Sequence, residues 1–181
     1  MCGSCVLVVN GRERWACRTR LSVLGAGELT LRPLYHFPLV RDLVVDMAPF
    51  VEKMTGVQAA FVPRGKVREF VTIGSRSRER REIDRALECI GCGACLSACT
   101  MVVHDPRFPG PAALNRAFTL MADSRERGKT ERWAPLLSED ALWRCHGQAN
   151  CIEVCPMELS PMDSIMRLRR RAVASVLRRG A

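Results

Sequence analysis

Aromatic residues are scarce in this chain of 181 residues: they make up 6% of it, with three Trp and one Tyr. Proteins that bind single-stranded nucleic acid without sequence preference place aromatic stacking platforms among their basic residues. The Trp and Tyr residues here are not interleaved with the basic stretches. The sequence therefore gives little support to a nucleic-acid partner.

Long apolar runs are also missing, since no segment approaches the roughly 18 apolar residues that predict a membrane span. Any membrane contact must then come through a surface or a partner. The first residues do not resemble a signal peptide, and the ten cysteines fall into tight groups. This clustering favours metal binding in a reducing compartment over a disulfide framework.

Positive charge is in excess, with a formal net charge of +9, and it is concentrated in two stretches. Residues 64–85 contain eight basic and four acidic residues, and residues 161–181 contain six arginines and one aspartate. One interpretation is solvated helix faces and a linker. The other is contact with a partner subunit or with anionic lipid headgroups.

The most informative segment is the middle cysteine group, which has C-x2-C-x2-C-x3-C spacing. Bacterial ferredoxins hold iron–sulfur clusters with this pattern, in which three thiolates bind one cluster and the fourth binds another. A zinc site would use two pairs separated by a longer loop. The pattern therefore predicts cluster ligation by Cys89, Cys92, Cys95 and Cys99.

A second cysteine group supplies further ligands for the cluster that the fourth thiol, Cys99, would bind. Cys145, Cys151 and Cys155 align with the first group, but Gln148 stands where a cysteine would complete the pattern. If Cys155 joins the first three thiols of the middle group in a [4Fe–4S] site, only three thiolates remain for the other cluster. The sequence thus predicts a [3Fe–4S] site with Cys99, Cys145 and Cys151 as ligands.

A third group lies at the beginning of the sequence. Cys2, Cys5 and Cys17 match the last three ligands of plant-type [2Fe–2S] ferredoxins, whose first cysteine would lie five positions before Cys2. We expect a misassigned start or a gene fragment, and an in-frame cysteine upstream in the former case. The alternative is that these are ordinary free or buried cysteines.

Local patterns predict the remaining elements. Val6–Val9, the Asn10-Gly11 turn and Trp15 predict a hairpin, and residues 29–33 a further strand. Apolar residues at helical spacing predict a helix that opens at Asp42, with Pro49 as a bend or the true start. Further helices are predicted before Cys89, from Pro111, and after a capping box at 160–163. The helical stripes consist of Leu43, Val44, Met47, Phe50, Val51 and Met54; of Leu114, Ala117, Phe118 and Met121; and of Ile165, Met166, Val173, Val176 and Leu177.

With these groups in this order, the chain resembles the iron–sulfur subunit of succinate dehydrogenase and quinol:fumarate reductase. The resemblance covers nearly the whole chain and includes four motifs between the cysteines. Cys5 and the residues from Gly128 to Arg132 resemble the fumarate reductase members of this family more than the succinate dehydrogenase members. The motifs are Asp42-Leu-Val-Val-Asp-Met47, Gly110-Pro-Ala-Ala113, Asp123-Ser-Arg125 and Cys145-His146.

The resemblance implies an α+β fold in two domains. Residues 1–45 would be the C-terminal part of a β-grasp, plant-type ferredoxin-like domain with [2Fe–2S]. Residues 46–181 would be an all-α, bacterial-ferredoxin-like domain with [4Fe–4S] and [3Fe–4S]. Electrons would pass between FAD, bound only in a partner flavoprotein subunit, and a quinone at membrane anchor subunits. The chain would be peripheral on the cytoplasmic face of the membrane, without dicarboxylate chemistry of its own.

The sequence departs from the family around the expected quinone position. Thr100 replaces a proline, and Val103 and His104 stand where ubiquinone-using members have tryptophans. Quinone-proximal roles are predicted for His146, which could donate a proton or hydrogen bond, for Thr100 and for Gln148. His104 is predicted to be a surface residue, and His36 structural.

Two alternatives from other classes stay open on the sequence alone. A soluble carrier of heterodisulfide-reductase type would share the paired ferredoxin groups, but such carriers keep all eight cysteines. A basic zinc-binding nucleic-acid module would use the same thiols without redox activity. Iron and sulfide content together with a visible spectrum separates the zinc module from the others.

Overall fold

A small sheet forms the N-terminal part of the computed structural model, which describes residues 2–63 and 72–179. Strands β1 (Val6–Val9) and β2 (Arg12–Trp15) form the predicted antiparallel hairpin. Its turn residues Asn10 and Gly11 have φ values of 49° and 77°, as a type I′ turn requires. Strand β3 (Leu31–Arg32), within the segment predicted as a strand, pairs with the other edge of β1.

The segment after this sheet differs from the prediction. Strands β4 (Leu39–Arg41) and β5 (Val44–Val45) pair around a turn at Asp42, and helix α1 spans Ala48–Gly56. The helix predicted to open at Asp42 was wrong over its first six residues. The β-branched valines favour a strand, and the Asp46 carboxylate accepts the Ala48 N–H at 2.8 Å. Helix α1 thus begins just before Pro49.

The rest of the described chain is helical. Helix α2 (Arg78–Leu87) is capped by Ser77, whose hydroxyl accepts the Arg80 N–H at 3.0 Å. Residues 64–71, the first part of the basic stretch at residues 64–85, lie outside the described residues. Short 3₁₀ turns occur at Ala16–Arg18, Leu21–Val23 and Leu142–Arg144. The helices are α2 (Arg78–Leu87), α3 (Ala94–Ser97), α4 (Thr100–His104), α5 (Gly110–Ala122), α6 (Lys129–Leu137), α7 (Asn150–Glu153) and α8 (Pro161–Arg179).

Helix α5 lies at the centre of the helical part, and nearly all of its residues are buried. It packs mainly against α8 and α2, which surround it with apolar side chains. The predicted stripe of α5 is buried throughout. Sheets in the first part followed by helices in the second confirm the predicted α+β class.

Helix α8 begins at the predicted cap, where the Ser160 hydroxyl accepts the Asp163 N–H at 3.3 Å. Its buried residues are Pro161, Ser164, Ile165, Leu168 and Ala172, which follow the three-to-four-residue spacing of a helix face. Of the predicted stripe only Ile165 is buried, and Met166, Val173, Val176 and Leu177 are exposed. In the described part of the chain no helix is long and apolar enough to cross a membrane.

A buried ion pair joins the segment after α1 to the start of α6. The Arg132 guanidinium and the Glu126 carboxylate are both buried, with their nearest atoms 3.5 Å apart. Arg132 also donates to the carbonyls of Gln58, Ala60 and Gly128. Glu126 accepts the N–H groups of Val62 and Gly128. Both charges are therefore fully hydrogen-bonded, which burial demands.

Candidate iron–sulfur sites

The first candidate site is a small cavity between the middle cysteine group and the start of α8. Cys89, Cys92 and Cys95 line one side, and Cys155 lines the other. Gly91 and Gly93 have φ values of 66° and 82°, so the backbone turns around the cavity in a conformation that glycine favours. The structure thus brings together the four thiols predicted for [4Fe–4S].

The second candidate site is a small cavity at the other end of the short helices α3 and α7. It is lined by Cys99, Cys145 and Cys151, the three thiols that the sequence assigns to a [3Fe–4S] site. Thr100, His146 and Gln148 line the same cavity, which is where the quinone-proximal residues were expected. The Thr100 hydroxyl donates to the side-chain carbonyl of Gln148.

Burial makes the thiols in these cavities hard to ionise. It raises the pKa of Cys92 to about 11 and that of Cys151 to about 12, and it raises the pKa of Cys95 well above its usual value. Burial also raises the pKa values of Cys89 and Cys99. Such thiols become thiolates only when positive charge arrives, as it does with iron.

Backbone N–H groups near several of these sulfur atoms act against burial, because they favour the thiolate form. The N–H of Gly91 lowers the pKa of Cys89, that of Ala94 lowers the pKa of Cys92, and that of Met162 lowers the pKa of Cys151. The N–H groups of Met101 and Val102 both lower the pKa of Cys99. Hydrogen bonds to sulfur are among the features that set cluster potentials, so the cavities suit iron–sulfur clusters in donor type and in surroundings.

The third candidate site lies in the N-terminal loop and is more exposed. The Sγ atoms of Cys5 and Cys17 are 3.1 Å apart, and the Sγ of Cys2 lies 3.1 Å from the Ser4 hydroxyl. The backbone N–H and then the thiol of Cys17 lower the pKa of Cys5, while the hydrogen bond with Cys5 raises the pKa of Cys17. Three of the four ligands expected for [2Fe–2S] are therefore present.

Gly3 places this loop directly against the [4Fe–4S] cavity. Its φ is 73°, and a Cβ added there would lie 2.8 Å from the Cys92 Cβ. Only glycine allows this approach, because any side chain would overlap a predicted cluster ligand.

We expect Gly3→Ala to separate the loop from Cys92 and to destabilise the fold by about 1–3 kcal/mol. The magnetic interaction between the reduced [2Fe–2S] and [4Fe–4S] clusters, measured by electron paramagnetic resonance (EPR), should weaken. The matched control is Gly27→Ala, since nothing lies within 4 Å of a Cβ at Gly27. An unchanged interaction in Gly3→Ala would show that this contact does not set the cluster separation.

Sequence analysis missed several residues that hold the sites together. The Arg169 guanidinium donates to the carbonyls of Leu142 and Cys145, and the Asn150 amide donates to the carbonyl of Ala98. Glu13 is buried and accepts the Ser97 hydroxyl. Only Glu13 carried a signal, because strand alternation places it on the buried face of the hairpin, paired with Val8. His36 and His104 are exposed; His104 lies where a surface residue was expected.

No single-ion site is found in the part of the chain that the structure describes. There, no group of three or more His, Cys, Asp or Glu side chains is arranged to hold one metal ion. The thiols instead line cavities.

Comparison with known proteins identifies the family. A model for a 2Fe-2S iron-sulfur cluster binding domain matches residues 1–52, and one for a 4Fe-4S dicluster domain matches residues 85–159. The fumarate reductase iron-sulfur subunit of Escherichia coli is 34% identical over 92% of this chain and 68% of its own length. The chain belongs to the family of fumarate reductase and succinate dehydrogenase iron–sulfur subunits.

Subunits of succinate dehydrogenases are also similar to this chain and support the same family assignment. The iron-sulfur subunit of Coxiella burnetii succinate dehydrogenase is 33% identical over 93% of this chain and 72% of its own length. A chain of the Mycobacterium smegmatis Sdh1 complex in the apo form superimposes with a TM-score of 0.83 at 28% identity, covering 96% of this chain and 74% of that one.

This iron–sulfur subunit is therefore an electron-transfer component of a quinone oxidoreductase, and the predicted family, function and cluster types are confirmed. The soluble-carrier and zinc-module alternatives are not supported by the matches. The assignment of individual cysteines to each cluster stays a prediction, and so does the domain boundary after residue 45.

Proposed function

We propose that the subunit holds its three clusters with the ligand sets predicted from the sequence, in a domain of residues 1–45 and a domain of residues 46–181. The observation that carries the proposal is the division of seven thiols between two cavities. Cys155 joins the first three thiols of the middle group, and Cys99 joins Cys145 and Cys151. The [2Fe–2S] site would use Cys2, Cys5 and Cys17 with a fourth ligand that this sequence does not contain.

Bound clusters supply one-electron redox chemistry, and the chain determines where that chemistry takes place. The Gly3 contact brings the [2Fe–2S] loop to the [4Fe–4S] cavity. Helices α3 and α7, each with cysteines of both cavities on or just beyond it, lie between the [4Fe–4S] cavity and the [3Fe–4S] cavity. The three sites therefore follow one another through the molecule. This order suits transfer between two partners at opposite ends.

The partners are a flavoprotein subunit, which holds FAD, and membrane anchor subunits. Quinone would approach the cavity lined by Thr100, His146 and Gln148, at the [3Fe–4S] end. His146 is exposed at its rim, where an imidazole can donate a hydrogen bond or a proton to a quinone oxygen. Thr100 donates to Gln148, which keeps the amide beside the cavity. The subunit would be peripheral, on the cytoplasmic face of the membrane.

Co-expression with a flavoprotein subunit and a membrane anchor of this family of complexes tests the proposal. We expect a complex that contains [2Fe–2S], [4Fe–4S] and [3Fe–4S] by iron and sulfide analysis and by EPR. Deleting the anchor should release the subunit and the flavoprotein from membranes, because surface charge alone binds weakly in salt. Retention on anchor-free membranes in high salt would contradict the assigned partners, and a preparation without clusters would contradict the ligand sets.

A further inference from the structure

Strand β2 presents two neighbouring side chains to the two short helices between the cluster cavities. Arg12 donates to the carbonyl of Glu153 at 2.6 Å, at the end of α7. Glu13 accepts the hydroxyl of Ser97 at 2.7 Å, at the end of α3. The N-terminal hairpin thus contacts both cysteine groups through adjacent residues.

The Glu13 side chain is buried, with 6% of its surface exposed, and Ser97 is 2% exposed. The Ser97 oxygen already accepts the Tyr35 N–H at 2.9 Å. The Ser97 hydroxyl donates its own proton to the Glu13 carboxylate oxygen, which is the acceptor of this bond. This hydrogen bond suits a negatively charged carboxylate.

The position of the Glu13 carboxylate relative to the two cavities bears on the reduction potentials of the clusters. In the sequence, Ser97 lies two residues from Cys95 and two from Cys99, which line different cavities. A buried charge acts through a lower effective dielectric constant than a solvated one, and its field is little screened by salt. Net charge near a cluster is one of the features that set its reduction potential.

We propose that Glu13 is a positioning and potential-setting residue, whose buried negative charge, held by Ser97, lowers the reduction potentials of the [4Fe–4S] and [3Fe–4S] clusters. The other charged or titratable groups that line the same groove are Arg12, Tyr35, His36 and Glu153. Arg12, His36 and Glu153 are exposed, so water and salt screen their charges more effectively. The inference rests on the ligand sets proposed above.

The test is a redox titration of the assembled complex, followed by EPR, for two Glu13 variants. Glu13→Gln keeps the shape and the acceptor oxygen but removes the charge, and should raise both potentials. Glu13→Asp keeps the charge and shortens the side chain, and should leave the potentials close to those of the wild type. A purely structural role predicts similar disturbance by both variants.

Two further variants serve as controls. Glu28→Gln removes an exposed charge from the same part of the chain and should change neither potential. Ser97→Ala frees the Glu13 carboxylate to turn towards the groove, and should raise the potentials less than Glu13→Gln does.

Unchanged potentials in Glu13→Gln, with normal cluster content, would overturn the inference and leave the proposed function intact. Equal shifts in Glu13→Gln and Glu13→Asp would also overturn it. A wild-type complex that lacks the [4Fe–4S] and [3Fe–4S] signals would overturn the proposed function, and this inference with it.

Discussion

Replacing Gln148 with cysteine is expected to abolish the [3Fe–4S] EPR signal of the oxidised protein and to produce a reduced [4Fe–4S] signal. Gln148 lines the cavity with only three thiols and is held there by the Thr100 hydroxyl. An amide is neutral and a poor iron ligand beside thiolates, so the fourth iron has no ligand. A cysteine completes the C-x2-C-x2-C-x3-C pattern from Cys145 to Cys155 and supplies that ligand.

The added thiolate should also lower the potential of the cluster, because extra negative charge makes reduction harder. Electron exchange with quinone should then be slower. Gln148→Ala is the matched control, since it removes the amide without adding a thiol and should keep the [3Fe–4S] signal. If the wild type already contains two [4Fe–4S] clusters, the assignment of three thiolates to this site is wrong.

The features that could be predicted from the sequence depend on residues that are close together in it. The Asn10-Gly11 turn specified the hairpin because both residues must have positive φ. The middle and last cysteine groups each span eleven residues, and their spacing is that of ferredoxins, in which one thiol of each group binds with the thiols of the other. The start of α1 was harder, because Val44 also fits a helical stripe, and a short apolar run does not distinguish a strand from a helix.

Features that join distant residues could not be predicted. The Ser97 hydroxyl and the Glu13 carboxylate are 84 positions apart, and Arg169 binds the carbonyl of Cys145 from 24 positions away. Ser, Glu and Arg are ordinary surface residue types, and the group that Arg169 binds is a backbone carbonyl, which every residue has. Strand alternation places Glu13 on the buried face of the hairpin, but only the folded chain shows that Ser97 is its partner. Similarly, nothing in the sequence around Arg132 indicates that its guanidinium is enclosed by three carbonyl groups.

The second large effect is expected for Arg132→Met, which should lower the free energy of unfolding by about 3–5 kcal/mol. The substitution leaves the Glu126 carboxylate buried without its countercharge. It also removes the donor to the carbonyls of Gln58, Ala60 and Gly128. The segment directly after α1, which contains Gln58, Ala60 and Val62, should therefore be held less tightly against the start of α6. Anaerobic guanidinium unfolding followed by circular dichroism measures the change.

Arg127→Met is the matched control for this prediction. Arg127 is exposed and bonds to Val62 through its backbone N–H, which the substitution keeps. A change below about 0.5 kcal/mol is expected for this surface position. If Arg132→Met is as stable as Arg127→Met, the buried ion pair contributes little to the free energy of unfolding. Some buried ion pairs in other proteins can be replaced entirely by apolar residues without loss of stability.

The bond between Arg12 and Glu153 has a consequence for the order of assembly. It closes a loop of 141 residues, and the neighbouring bond of Glu13 closes one of 84. Contacts so distant along the chain form late, because the entropy of loop closure must be overcome before they contribute. On the ribosome the contact with Glu153 cannot form until the chain has emerged beyond that residue. Both cavities also need cysteines from residues 145–155, so completion of the cluster sites and full docking of the hairpin fall in the same late stage of synthesis.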